Sequence, residues 1–375
     1  MSNPYRVMLV DDSAVIRGFL ARWLKEESDI EVVASVSNGA IAVRDFAKVK
    51  PDVVILDIEM PEMDGMTALP KLIQQDPDVK VIMASTLTVR NADISMKALA
   101  MGAADYIPKP ESTRVAGDKE AFQRDLVEKV RALGARRRAK SGAAAPDRNT
   151  EVKPNTADRA KPSASGLYKN GEIILRKSTL SLMPEALAIG SSTGGPQALF
   201  KLFEKLKGTI TKPIFITQHM PATFTSILAE HIAKIAGVTC KEAEDGEIVR
   251  DKQIYLAPGD WHMTVVKEGE NVRIKLNQDP PENFCRPAVD PMLRSLNSAY
   301  GGRVVTVILT GMGHDGKQGS EVMAQSGAPV IAQDEASSVV WGMPGAVATS
   351  GLSTSVLPLE EIPTAISKAM TGRPV

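Results

Sequence analysis

Short apolar runs in the first third of this sequence end, one after another, on residues that can do chemistry. Asp11 and Asp12 follow Tyr5 to Val10, Asp57 follows Val53 to Leu56, Ser85 and Thr86 follow Val79 to Met83, and Lys109 closes Tyr-Ile-Pro-Lys-Pro. Three carboxylates converging on one sheet edge repel each other, so such a cluster needs a hard divalent cation with oxygen ligands. Mg²⁺ is the natural candidate. A carboxylate held against that ion, with a hydroxyl and a lysine beside it, can attack phosphorus while the cations neutralise the phosphoryl oxygens. The plainer alternative is that Asp11 and Asp12 cap the next helix and Asp57 sits in a loop. All of these positions falling at strand ends speaks against it.

A second set lies downstream. The segment Gly190-Ser191-Ser192-Thr193-Gly194-Gly195-Pro196 stands between an apolar run and a helical pattern. Glycines allow a tight turn and Pro196 suits the first helical position, so the loop either cradles a phosphate or dinucleotide, exposes a serine nucleophile, or is an ordinary capped turn. It lacks the G-x-G-x-x-G spacing, the Walker lysine and the G-x-S-x-G elbow. A serine nucleophile needs a base, and the histidines are His219, His231, His262 and His314. His219 directly follows the run Ile214 to Thr217, which puts it at the same sheet edge as Ser192. His231 falls mid-helix, and His262 and His314 lie in glycine-containing loops. Asp315 follows Val304 to Leu309 through a short loop and can orient the base. Nucleophile, base and acid then come from three strand-end loops, whose backbone N–H groups can bind a developing oxyanion.

The elements that must position these residues are legible as a rhythm. Continuous runs short enough for buried strands alternate with helical spacing, as in Val15, Ile16, Phe19, Leu20, Trp23 and Leu24, then Met66 to Ile73. The same alternation returns with Ala186 to Ile189, Pro196 to Leu206, Ile214 to Thr217 and Phe224 to Ile235. Strand, helix, strand in this order means a parallel sheet covered on both faces, so both halves are expected to be α/β, with ligands at the carboxyl ends of the strands. The length of 375 residues calls for two packed cores. Basic and acidic residues number 45 each, so nothing in the overall charge attracts nucleic acid. Two cysteines build no disulfide framework, the N-terminus reads as no signal peptide, and no run spans a bilayer. A soluble, cytoplasmic protein is expected.

Between the halves, from Ala139 to Gly166, Val152 is the only apolar residue larger than alanine. Such a segment cannot bury enough surface to offset its ordering entropy, and it reads as a flexible tether. With its flanks, the expected division is an N-terminal domain over 1–132, a flexible linker over 133–178 and a C-terminal domain over 179–375.

VDDSAVIR, DVVILDIEMPEMDG, MAST and YIPKP resemble, in order, the landmarks of the receiver domain of two-component response regulators. IGSSTGGP, QHMPATFT, APGDWHM, NFCRPAVDPM and LTGMGHDG are similar to the catalytic domain of the chemotaxis protein-glutamate methylesterases. The first resemblance implies a doubly wound sheet with Asp57 as phosphoacceptor, Mg²⁺ on Asp11, Asp12 and Asp57, Ser85 as switching hydroxyl, Lys109 against the phosphoryl group, and a histidine kinase as phosphodonor. The second implies an α/β domain with a mainly parallel sheet, Ser192 as nucleophile, His219 as base, Asp315 as orienting acid and a backbone oxyanion site near Met312, with Thr193 and Gly313 in the pocket. It also implies a hydrolase that needs no cofactor, acting on glutamyl γ-methyl esters of methyl-accepting chemoreceptors and deamidating selected receptor glutamines. Contact with the membrane would be only through the receptors.

Overall fold

The computed structural model describes residues 3–109, 116–141, 173–177 and 183–375. The chain divides into two compact units, Met1–Leu167 and Tyr168–Val375.

In the first unit β1 (Tyr5–Val10), α1 (Ala14–Lys25), β2 (Ile30–Val36), α2 (Gly39–Val49), β3 (Val53–Asp57), α3 (Gly65–Gln75), β4 (Lys80–Ser85), α4 (Val89–Ala100), β5 (Asp105–Pro108) and α5 (Ala116–Ser141) alternate along the chain. The five strands form one parallel sheet in the order β2-β1-β3-β4-β5. Every residue of β3 is buried, as its continuous apolar run requires of a strand covered on both faces. Side chains of Ser13, Asn38, Asp64 and Thr88 cap α1 to α4 by accepting a backbone N–H three residues on, which ends each strand-end loop at a fixed place.

The expected boundary at residue 132 falls too early. Helix α5 continues through Ser141, with Leu126, Val130 and Leu133 fully buried. Beyond them Arg137 bridges Asp52 and Asp76 at 2.6 and 2.7 Å, and Arg138 donates to Asp52 at 2.6 Å. Arginines whose partners lie far away in sequence hold this end, so its polar composition resembled a linker. At the other end, Arg176 belongs to the second unit: its N–H donates to Ser353 O at 3.0 Å and its guanidinium reaches Leu352 O at 2.9 Å and Ala328 O. The remainder of the expected tether, 142–172 and 178–182, lies outside the described residues.

The second unit opens with β6 (Ala186–Ser191), α6 (Gly195–Leu206), β7 (Ile214–Gln218), α7 (Ala222–Ala236), β8 (Thr239–Glu242) and β9 (Gln253–Leu256). A hairpin follows, β10 (His262–Glu268) and β11 (Asn271–Asn277), then α8 (Val289–Tyr300), β12 (Val304–Ile308), α9 (Lys317–Gln325), β13 (Val330–Gln333), α10 (Met343–Ala348), β14 (Ser355–Leu357) and α11 (Ile362–Met370). Seven parallel strands run in the order β14-β13-β12-β6-β7-β9-β8, and β10 pairs with β11 as a separate antiparallel ribbon. Phe215, Tyr255 and Met292 are among the fully buried side chains of its core.

In each sheet the chain leaves its first strand on one side and later returns to the other. From β1 the chain goes first to β2 on one side and then to β3 on the other; from β6 it goes to β7, and later to β12 on the opposite side. Connections diverge there and leave a crevice beyond the carboxyl ends of the strands.

Candidate functional site

In the first crevice, Asp11 follows β1 and Asp57 closes β3, both nearly fully buried. Oxygens of Asp11, Asp12 and Asp57 lie within 4.8 Å of one another, and Asp12 is exposed. Lys109 spans the pair, its Nζ 2.8 Å from Asp11 Oδ2 and 2.7 Å from Asp57 Oδ2. Burial, which Lys109 only partly offsets, pushes the Asp57 carboxyl up to about 6. Burial pulls the Lys109 ammonium down, but its two carboxylate partners outweigh that and leave it raised. Ser85 ends β4, buried, with its Oγ 3.2 Å from Ser95 Oγ, and its carbonyl accepts the Lys109 N–H at 2.6 Å. Thr86 is exposed and accepts from the Asn91 amide at 2.7 Å. An all-carboxylate donor set with one exposed member open to water suits a small hard cation such as Mg²⁺.

The second crevice gathers the other set. Ser191 pairs with Gln218 in register and Gly190 with Ile308, so Ser192, His219 and the loop after β12 leave three adjacent strands together. Neighbouring strands are ~4.8 Å apart, which sets the spacing of the Ser192 and His219 backbones. Their positions are locked by hydrogen bonds from His219 N–H to Ser191 O at 3.1 Å and from Ser192 N–H to Thr310 O at 3.0 Å. His219 Nε2 lies 2.7 Å from Asp315 Oδ2, and its Nδ1 lies 3.3 Å from Cys285 Sγ. Asp315 is 1% exposed and accepts backbone N–H groups of Val289 at 2.6 Å, Asp290 at 3.1 Å and Gly316 at 2.9 Å. The first two belong to the start of α8, where the helix dipole favours an anion. Burial raises the Asp315 carboxyl, but His219 and these donors outweigh it, and its pKa falls below the usual range. Burial also lowers His219, yet Cys285 and Asp315 together leave its pKa well above that of a free imidazole.

The residues expected to bind an oxyanion come from the loops after β6 and β12. Thr193 is 3% exposed, and its carbonyl accepts from Thr310 Oγ1 at 2.9 Å. Met312 is half-buried and Gly313 exposed, with a φ of +81° at the glycine. The other histidines stand elsewhere: His231 stacks on Phe200 in α7, His262 is buried with its Nδ1 accepting the Ala288 N–H, and His314 is exposed.

Two groups of residues at this edge lie within QHMPATFT and NFCRPAVDPM, but the sequence assigns them no role. Gln218 is a polar residue closing an apolar strand. Its Oε1 accepts from Ser191 Oγ at 2.7 Å, and its Nε2 donates to Ser192 O at 2.9 Å, so it pins the turn that presents Ser192. The other group is Asn283, Cys285 and Asp290 around the motif NFCRPAVDPM, whose contacts form only once the loop before α8 folds over His219 and Asp315. Closeness of the loops also defines a test. A Cβ at Gly311 would stand 2.9 Å from Ser192 Cβ and 2.3 Å from Met343 Sδ. Gly311→Ala is therefore expected to displace the Ser192 turn and lower ester turnover about 10²-fold, the usual effect of an ångström-scale misplacement. An unchanged kcat would mean that the loop yields without moving Ser192.

A phosphoacceptor-type crevice and a hydrolase-type crevice on one chain define a response regulator with an enzymatic output domain. Residues 7–116 match the response regulator receiver domain family and residues 187–366 the CheB methylesterase family. A "Protein-glutamate methylesterase/protein-glutamine glutaminase 1" of Paramagnetospirillum magneticum is 55% identical over 99% of this chain and 98% of its own length. A protein-glutamate methylesterase/protein-glutamine glutaminase of Azospirillum brasilense is 56% identical over 96% of this chain and 91% of its own. The crystal structure of the Thermotoga maritima CheB methylesterase catalytic domain matches 50% of this chain and 99% of that one at 38% identity, with a TM-score of 0.48. The chain belongs to the protein-glutamate methylesterase/protein-glutamine glutaminase family, with a receiver domain ahead of its methylesterase domain.

Proposed function

We propose that this chain removes methyl groups from glutamyl γ-methyl esters of chemoreceptors and deamidates selected receptor glutamines, under control of phosphorylation at Asp57. The observation that carries the reading is the His219–Asp315 pair at 2.7 Å, drawn from the loops after β7 and β12, the two strands that flank the one leading into Ser192. Asp315 engages Nε2, so Nδ1, which lies 3.3 Å from Cys285 Sγ in this structure, is the nitrogen that would act as base. In this reading Ser192 Oγ attacks the γ-carbonyl as His219 Nδ1 takes its proton. Methanol then leaves with that proton, and water resolves the acyl-enzyme by the same steps. Backbone donors near Met312 and Gly313, with Thr193, stabilise the oxyanion. Ammonia replaces methanol as leaving group when the substrate is a glutamine, so deamidation needs no additional residues.

Asp11, Asp12 and Asp57 would hold Mg²⁺, which neutralises charge on the phosphoryl oxygens. Asp57 is the acceptor, Lys109 contacts the phosphoryl group and Ser85 is the switching hydroxyl. A histidine kinase supplies the phosphoryl group, and membrane-bound methyl-accepting chemoreceptors are the substrate of a cytoplasmic enzyme. Among the described residues no helix is long and apolar enough to cross a membrane. The direct test is methanol release from methylated receptor membranes with and without acetyl phosphate and Mg²⁺. Release that rises with the phosphodonor is expected, and no release under either condition would refute the assignment.

A further inference from the structure

The turn between β11 and α8 makes contacts that acyl transfer does not by itself demand. Asn283 and Phe284 adopt φ of +53° and +64°, a left-handed conformation uncommon outside glycine. This backbone aims the Asn283 amide at two acids at once. Its Nδ2 donates to Asp315 Oδ1 at 2.9 Å and to Asp290 Oδ2 at 3.0 Å, so the two hydrogens of one nitrogen serve two carboxyl groups. Asp290 is fully buried in the first turn of α8, and its Oδ1 accepts the Gly319 N–H at 2.7 Å near the start of α9. Asp315 precedes α9 and accepts N–H groups at the start of α8. Each acid thus caps the helix that the other belongs to or leads into.

We propose that Asn283 and Asp290 are positioning residues for the His219–Asp315 pair, the amide bridge and the reciprocal caps together holding Asp315 Oδ2 against His219 Nε2. The inference rests on the reading of His219 as the base and names what keeps its ring fixed. A carboxylate with a single hydrogen-bonding partner can swing; one gripped from three elements cannot. The bridge is also an electrostatic device. Facing Asp290 are Asp315 and the Asn283 amide, with Arg294 one turn further along α8 and itself paired with Glu282; His219 and Cys285 lie beyond Asp315. Burial and the Asp315 charge push the Asp290 carboxyl up to about 6. When ionised, Asp290 adds a second negative charge behind Asp315 and raises the proton affinity of His219.

The test uses the full chain labelled with ¹⁵N-histidine, in which His219 ring signals are assigned by their loss in His219→Gln. Asn283→Ala and the isosteric Asn283→Asp, which lacks the donor, are expected to shift or broaden the ring N–H signal of His219. Both should lower kcat for ester hydrolysis about 10- to 100-fold with little change in KM, as supporting residues around a reacting pair typically do. Asp290→Asn should lower the pH at which His219 titrates. If Asp290→Asn does not fold, the two Asn283 variants carry the test. Unchanged ring signals and kcat in them would overturn the proposal. A different failure identifies the underlying reading: if His219→Gln still hydrolyses the ester, His219 is not the base, whatever the Asn283 variants do to its ring.

Discussion

Ser192→Ala is expected to abolish methanol release while leaving the fold intact. The contacts that seat this residue are made by its backbone: its N–H on Thr310 O, and its carbonyl under Gln218 Nε2 and the Gly195 N–H at 2.7 Å. Alanine keeps all of them. What disappears is the hydroxyl, and loss of a triad nucleophile costs ~10³-fold or more in kcat. Members of such a triad act as one unit, so combining Ser192→Ala with His219→Ala should be little worse than either alone. A thermal melt superimposing on wild type would show that the loss is chemical. Replacement of His231, which stacks on Phe200 away from the crevice, is the control and should affect stability more than turnover. Retention of even about a tenth of wild-type release in Ser192→Ala would assign the nucleophile elsewhere, since an intact oxyanion site alone leaves far less than that.

How far this was legible in the sequence depended on which force positions each residue. Asp57, Ser192 and His219 stand at the ends of strands buried on both faces, and such strands announce themselves as continuous apolar runs. Their carboxyl ends are where an open parallel sheet collects its ligands, so spacing alone brought the two sets together. Asp315 followed for the same reason, three adjacent strands being enough to place it. Asn283, Cys285 and Asp290 were not legible as partners, because their contacts with His219 and Asp315 depend on a left-handed turn and on two helix starts that meet in space. Neither leaves a periodic trace. Gln218 escaped for a simpler reason, since a polar residue closing a buried strand looks like the beginning of a loop. The linker boundary failed at Arg137 and Arg138 because ion pairs to Asp52 and Asp76, rather than an apolar stripe, fasten the end of α5.

Asp57→Asn is expected to remove both phosphoryl labelling and its effect on catalysis. With acetyl phosphate and Mg²⁺ the wild-type chain should take up one phosphoryl group, and the substituted chain none. The position is chemically suited to this. Burial and the neighbouring Asp11 charge raise the Asp57 carboxyl to about 6, while Lys109 at 2.7 Å pulls the other way, so near neutral pH the group is largely ionised and nucleophilic yet poorly solvated. A phosphoryl group there adds charge beside Lys109, whose backbone N–H is bonded to the carbonyl of Ser85 at the end of β4. Allosteric couplings of this kind are usually ~5- to 150-fold, and methanol release by the wild-type chain should rise within that range on addition of the phosphodonor. In Asp57→Asn, release with and without the phosphodonor should coincide. Full-stoichiometry labelling of Asp57→Asn would move the acceptor to another residue. Stimulation without labelling would mean that acetyl phosphate acts on the hydrolase crevice directly rather than through the receiver.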